Sequence, residues 1–474
     1  MSTLPSRQRN PRDLLTFPPL KRFAHWRHGR TALQLLLFAA AAIMLIDGWV
    51  GTPLAAKNMA TIGAWVHYRG LIVLALLLVG NLFCASCPFL LTRTLARRLG
   101  RPTRRWPKAL RNKWLALAGL IAMLFLYEWL DLWASPWLTA WVIFAYFAAA
   151  FLFEAFFTRD AFCLYVCPLG TFNFLYSAVS PTQITNRSDQ VCRDCVGHDC
   201  INGRFDTQDN LLQQGCQLEL YPPTLASNLN CTLCLDCVRA CPHDNVSLVA
   251  RASDTELLTR PWPRRLDYAL LAVAAAFLGL VNAFAMTPPV YALEAALAAR
   301  LGTQREVIVL ALIFGTGVIL LPGLLLLSAA YLSRAQGVTL RRTIIRYAYG
   351  FVPVGFAIWT AHYLFHFLIG PLTIIPALQE FFVNVMGAPL LGRPDWTLAA
   401  RAVMPLPVIR VIQLSALAIG WWFGSRAVLH AAGDVTAGAP LRRAWPWLVI
   451  LALLTLAAAY VFLLPMEMRG NALG

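Results

Sequence analysis

The sequence predicts a mostly α-helical, polytopic membrane protein of about nine spans, with one small loop-rich domain inserted between spans four and five. Three observations predict it. Of 474 residues, 58% are hydrophobic and only 13% charged, with a mean hydropathy of +0.59. A soluble domain is about a quarter charged, and so few charges cannot cover a water-facing surface of this size. Apolar runs of about 20 residues, the length that crosses a bilayer, recur at 31–51, 70–91, 114–134, 137–157, 266–286, 307–332, 347–370, 406–425 and 445–465. The stretch 181–262 breaks the pattern, with no such run, many turn formers and eight of the twelve cysteines.

Taken in order, the first run is longer than the apolar core of a signal peptide and follows some thirty residues, so it reads as an anchor. The run at 406–425 is the least regular, because Arg410 lies inside it. The chain then divides into a four-span half (1–180), the inserted domain (181–262) and a five-span half (263–474). The 40 Lys+Arg outnumber 23 Asp+Glu, for a net charge of +17. The excess sits between apolar runs, at Lys21–Arg30, Arg93–Lys113, Arg260–Arg265 and Arg341–Arg346. That placement signals topology and contact with anionic headgroups, not nucleic-acid binding. Loops before 31 and at 92–113, 158–265, 333–346 and 426–444 are Arg-rich, whereas 52–69, 287–306 and 371–405 are near neutral. The positive-inside bias therefore predicts a cytoplasmic amino terminus and inserted domain, and a periplasmic carboxyl terminus. Residues 371–405, rich in Pro, Gly and apolar positions, are expected to lie partly in the interface.

The cysteines are grouped at metal-ligand spacing, which points to a reducing compartment. The strongest group is Cys231-Thr-Leu-Cys234-Leu-Asp-Cys237-Val-Arg-Ala-Cys241-Pro242. In two-cluster ferredoxins such a run gives its fourth cysteine to the other cluster; structural zinc usually takes two separated pairs instead. Upstream lie Cys192, Cys195 and Cys200, then Cys216 after a long insertion. The crossing rule predicts two [4Fe–4S] clusters, one on Cys192, Cys195, Cys200 and Cys241, the other on Cys231, Cys234, Cys237 and Cys216. The place of Cys216 rests on that rule alone, since its spacing is not diagnostic. His198 and His243 then read as outer neighbours or surface residues. Two further pairs end the second and fourth runs, Cys84-Ala-Ser-Cys87-Pro88 and Cys163-Leu-Tyr-Val-Cys167-Pro168. They predict a third metal site or an electron-exchanging dithiol pair, the alternative being four small buried hydrophobes.

Paired Cys-Pro motifs at span ends, followed by a double cassette, resemble the membrane-bound [4Fe–4S] polyferredoxin family related to NapH, NosR and CcoG. The likeness covers roughly residues 70–250, and the layout is most similar to FesM-type membrane iron–sulfur proteins. The chain shows neither the flavin-binding domain of NosR nor the immunoglobulin-like tail of CcoG, and NapH has no counterpart of residues 266–474. The resemblance implies a bacterial inner-membrane protein in quinol-linked electron transfer or in copper-oxidase assembly.

The seventh run carries Trp359-Thr-Ala-His362-Tyr-Leu-Phe-His366, an i, i+4 pair on one helix face. Ionisable residues inside a span are costly and usually mark a site. The pair is read first as a quinone site. It is read next as one side of a haem b with His67, because adjacent turns of one helix cannot supply both axial ligands. A third reading is a copper site with Met466 and Met468; interhelical hydrogen bonding is the plain alternative. Asp47, Glu128 and Asp131 are expected at the outer boundary, either passing protons or simply solvated. The expected function is electron transfer between a cytoplasmic redox partner and a quinone or periplasmic acceptor, as part of a complex. The alternative is an accessory reductase or assembly factor for a copper centre of another enzyme.

Overall fold

The computed structural model describes residues 12–158, 160–259, 262–433 and 440–466; it is about 70% helix and 4% strand. The long apolar helices in chain order are α1 (Gly29–Val50), α2 (Met59–Leu78), α3 (Trp114–Trp129), α4 (Pro136–Phe156), α5 (Leu266–Phe284), α6 (Glu306–Ser333), α7 (Leu340–Ile369), α8 (Leu406–Gly433) and α9 (Pro440–Leu463). Among the described residues, eight of these are long and apolar enough to cross a membrane. The exception is α3, which corrects the expected run at 114–134. Its 16 residues reach only about 24 Å, against a hydrocarbon core of about 30 Å. It stops because Asp131 takes a left-handed backbone (φ 44°), folding the chain toward α4. Within its unit α3 packs on α5 and on the start of α6.

The second expected run is also displaced. The helix begins at Met59, where Asn58 caps it by accepting from Ala60 N–H at 2.8 Å, and ends before Gly80 (φ 125°). Leu82–Ala85 and Pro88–Thr92 are separate short turns. The polar look of Trp65-Val-His67-Tyr-Arg69 concealed the true start. Arg69 is nevertheless buried, its guanidinium 4.7, 4.3 and 5.0 Å from the rings of Trp65, Tyr127 and Tyr363. It also donates to the Tyr127 hydroxyl at 3.2 Å. Stacking against three aromatic faces offsets part of the cost of desolvating a cation. Arg410 is less anomalous than the sequence suggested, since it lies in the second turn of α8 and donates to the Leu463 carbonyl at 3.3 Å.

By its internal contacts the chain forms two compact units. The first comprises Met1–Ala39, Ala75–Arg111 and Phe147–Trp262, the second Ala40–Leu74, Asn112–Tyr146 and Pro263–Gly474.

In the second unit α5 and α7 are the innermost helices. Small residues permit the close approach on which helix association in lipid depends. A Cβ on Gly420 would stand 2.4 Å from the Ala357 methyl, and one on Gly424 only 2.6 Å from the Gly350 carbonyl oxygen, so α7 and α8 pack backbone to backbone. Trp359 closes α7 on α5 through a 2.9 Å bond from its indole N–H to the Ala275 carbonyl.

In the first unit the cysteine-rich segment is closed by its own ends. Strand β1 (Thr182–Asn186) pairs antiparallel with β4 (Val246–Ala250), Thr182 opposite Ala250 and Asn186 opposite Val246. Between them β2 (Arg204–Phe205) and β3 (Leu211–Gln213) form a small hairpin. Ile184, Val246 and Leu248 turn inward onto Leu15, Leu233, Leu235 and Val238. The amino-terminal segment joins this sheet, with Ala250 N–H donating to the Arg12 carbonyl at 2.9 Å and Arg187 bonding Asp13 at 2.9 Å. So small a core supplies little stability alone, as expected of a region this short.

Candidate metal centres

The eight cassette cysteines line two cavities. Cys192, Cys195, Cys200 and Cys241 surround one; Cys216, Cys231, Cys234 and Cys237 surround the other. The grouping is the crossed one, and local backbone explains both crossings. Cys237 lies in the short helix Asp236–Ala240 and faces the second cavity. The helix ends at Cys241, whose extended backbone (φ −66°, ψ 113°) carries that cysteine to the first. Cys216 crosses the other way. The insertion before it is the β2–β3 hairpin, which returns the chain to its start, where Cys216 N–H donates to the Cys200 carbonyl at 2.8 Å. The return is tight: a Cβ on Gly215 would lie 2.4 Å from the Ile201 carbonyl oxygen. An excursion that closes on itself has no diagnostic length, which is why spacing was mute.

Polar groups around the cavities point at sulfur. Leu233 N–H donates to Cys231 Sγ at 3.4 Å and Asn245 N–H to Cys241 Sγ at 3.4 Å. The Asn245 side-chain amide reaches Cys192 Sγ at 3.1 Å. To wrap the loop this way, Leu233 and Leu235 adopt φ of 54° and 61°, each at a cost of about 1–3 kcal/mol. Such strain persists only where surroundings over-determine it. Burial pushes the Cys200 and Cys231 thiols up to about 12 and Cys234 to about 11. Four such thiolates together require a cation, so any metal or cluster held by them would displace protons. Loading is therefore expected to release protons and to strengthen from neutral to mildly alkaline pH, as titration during anaerobic reconstitution would record.

Among the described residues, no three His, Cys, Asp or Glu side chains converge closely enough to grip one ion. His198 and His243 border the first cavity as outer neighbours. His198 packs edge-on against Tyr221, centroids 5.4 Å apart, while the Tyr221 hydroxyl donates to the Cys192 carbonyl at 3.2 Å.

The two Cys-Pro pairs meet within the first unit. Cys84 interacts electrostatically with Cys87 and Cys167, and Cys163 with Cys167 and Cys87.

The histidines of α7 are fully enclosed. His362 Nε2 lies 3.1 Å from His366 Nε2 and 3.1 Å from Met286 Sδ, and both Nδ1 atoms are buried without a hydrogen-bond partner. Met286, on the turn after α5, was not singled out from sequence; nothing in its local pattern marks it. Met466 packs instead against the second unit's core, and Met468 lies outside the described residues. Both ring nitrogens of His67 lie 3.2 Å from backbone carbonyls, those of Ile62 and Pro371. Two of the three boundary carboxylates are not solvated. Asp47 accepts from Met59 N–H at 2.6 Å and Glu128 from the Asn282 amide at 2.8 Å, both almost wholly buried, whereas Asp131 is exposed.

No protein-family model matches this chain, nor does any curated protein or solved structure.

Proposed function

We propose that the chain is an integral-membrane iron–sulfur electron-transfer protein of the polyferredoxin kind, holding two [4Fe–4S] clusters on its inserted domain. The observation that carries this is the division of eight cysteines between two cavities, with Cys241 and Cys216 exchanged. Sulfurs spread around a cavity, rather than gathered on a point, suit a cube wider than a single zinc ion. When bound, such a cluster takes up or releases one electron at a time. The chain's own groups would supply the ligands and, through Leu233, Asn245 and the enclosing β1–β4 pair, the hydrogen bonds and water exclusion that tune a cluster. By the charge bias this domain faces the cytoplasm, where a soluble redox partner would dock, and the acceptor is a quinone or a periplasmic redox protein.

The test is anaerobic purification with iron and acid-labile sulfide analysis and EPR of the dithionite-reduced protein. At least about eight iron and eight sulfide per chain are expected, and reoxidation of the reduced signal by a quinone analogue would identify the acceptor. Zinc without sulfide would refute the reading.

A second reading, an accessory reductase or assembly factor handling copper, is favoured by one observation. Two imidazole nitrogens and the Met286 thioether converge within hydrogen-bonding distance, a soft donor set of the type copper(I) selects. Copper(I) retention that is abolished by Met286→Leu and His362→Leu, without quinone reactivity, would favour it.

A further inference from the structure

Outside the cassette, the first unit contains a second concentration of thiols with an environment of its own. Cys84 follows Asn81, which caps the turn Leu82–Ala85. Cys87 and Cys167 each precede a proline that starts a helical turn. The four sulfurs interact in a closed circuit, Cys84 with Cys87 and Cys167, and Cys163 with the same two.

Donors surround this circuit. Gly170 N–H donates to Cys167 Sγ at 3.2 Å, the Phe89 and Leu90 N–H groups reach Cys87, and the Asn81 and Asn173 side chains stand in hydrogen-bonding range of Cys84. Two arginines, Arg93 buried and Arg30 half-buried, add positive charge. Arg30 lies in electrostatic range of Cys87 and Cys234, and Arg93 of Cys87 and Cys163. Asp160 opposes them beside Cys163, but it is bound by Arg93 at 2.7 Å. N–H donors and guanidinium groups around four thiols are what a negatively charged metal–thiolate centre needs; four packing cysteines need none of it. As in the cassette, the four do not converge on one ion among the described residues.

This place also abuts the second cassette cavity. The Asn81 amide donates to the Cys231 carbonyl at 3.0 Å. Arg30 donates to the Ala85 carbonyl at 3.2 Å and pairs with Asp236, which immediately precedes Cys237. Two side chains thus join the two thiol groups directly.

We infer that Cys84, Cys87, Cys163 and Cys167 bind a third iron–sulfur cluster, adjoining the cluster site of Cys231, Cys234 and Cys237. The intact protein, purified anaerobically from iron-57-grown cells, is expected to hold about twelve iron and twelve sulfide per chain, or about ten if the third is a two-iron cluster. Cys84→Ala and, separately, Cys163→Ala should lower the count to about eight and remove one component from the Mössbauer spectrum while sparing the cassette signals. A wild-type count of about eight overturns the inference, whether or not the variants fold. So does a disulfide between these cysteines in the mass spectrum, or zinc bound there. Failure of the cassette reading is distinct, because it would appear as loss of the iron that survives Cys84→Ala.

Discussion

Replacing Cys216 with alanine is expected to empty the cavity of Cys231, Cys234 and Cys237 and to leave the iron of Cys192, Cys195 and Cys200 in place. Replacing Cys241 should do the converse, although Cys241 belongs in sequence to the Cys231 run. Each variant should lose about four iron per chain, with loss of one EPR component at low temperature. Three remaining thiolates leave one iron of a cube without protein ligand, and a buried cluster so exposed to attack degrades. The pairing of the variants is the informative part. Cys216→Ala should match Cys234→Ala in spectrum, and Cys241→Ala should match Cys195→Ala. If Cys216→Ala instead matched Cys195→Ala, the hairpin return from Cys200 to Cys216 would have been assigned to the wrong cavity.

Glu256→Ala is expected to destabilise the first unit by about 3–5 kcal/mol. This carboxylate, 1% exposed, accepts from Arg251 at 2.7 Å, from Asn228 N–H at 2.9 Å and from the Ser227 hydroxyl and Trp262 indole. Arg251 in turn donates to the carbonyls of Ser177, Ala178 and Ser180. Removing the carboxylate leaves a buried guanidinium without its counter-charge, which is the costly half of a buried ion pair. The effect should reach the metal loop, because Cys231 N–H bonds to the Asn228 carbonyl at 2.9 Å. Denaturant unfolding in detergent, followed by cluster absorbance, would record an earlier midpoint and faster iron release. Glu256→Gln keeps an acceptor and should lose less, and adding Arg251→Met to Glu256→Ala should restore part of the loss. A midpoint unchanged in Glu256→Ala would show that this carboxylate does not hold the loop.

Most of the helical architecture was legible because a bilayer imposes one length and one polarity on every span. The errors lie where local polarity and tertiary burial disagree. Arg69 and His67 read as loop because a charge inside a helix is normally expensive; three aromatic rings that are distant in sequence make it tolerable. The early stop of α3 depends on a left-handed Asp131, a conformation that sequence alone does not demand. In the cassette, the gathering of Cys231, Cys234 and Cys237 around one cavity was legible from spacing, since a tight loop must use close neighbours. The association of the Cys84 and Cys163 pairs was expected from their like places beside two apolar runs; spacing alone does not give it, because it depends on two turns meeting across more than seventy residues. Met286 was invisible for the same reason: a methionine acquires meaning only from what stands beside it.

The exchange of Cys216 and Cys241 also has a consequence for how the protein matures. Whichever cavity is filled first anchors a strand of chain that carries ligands for the other, so the second filling begins from a partly organised pocket and meets a smaller entropy cost. Filling should therefore be cooperative. Under iron limitation fewer molecules should carry a single cluster than independent filling would give.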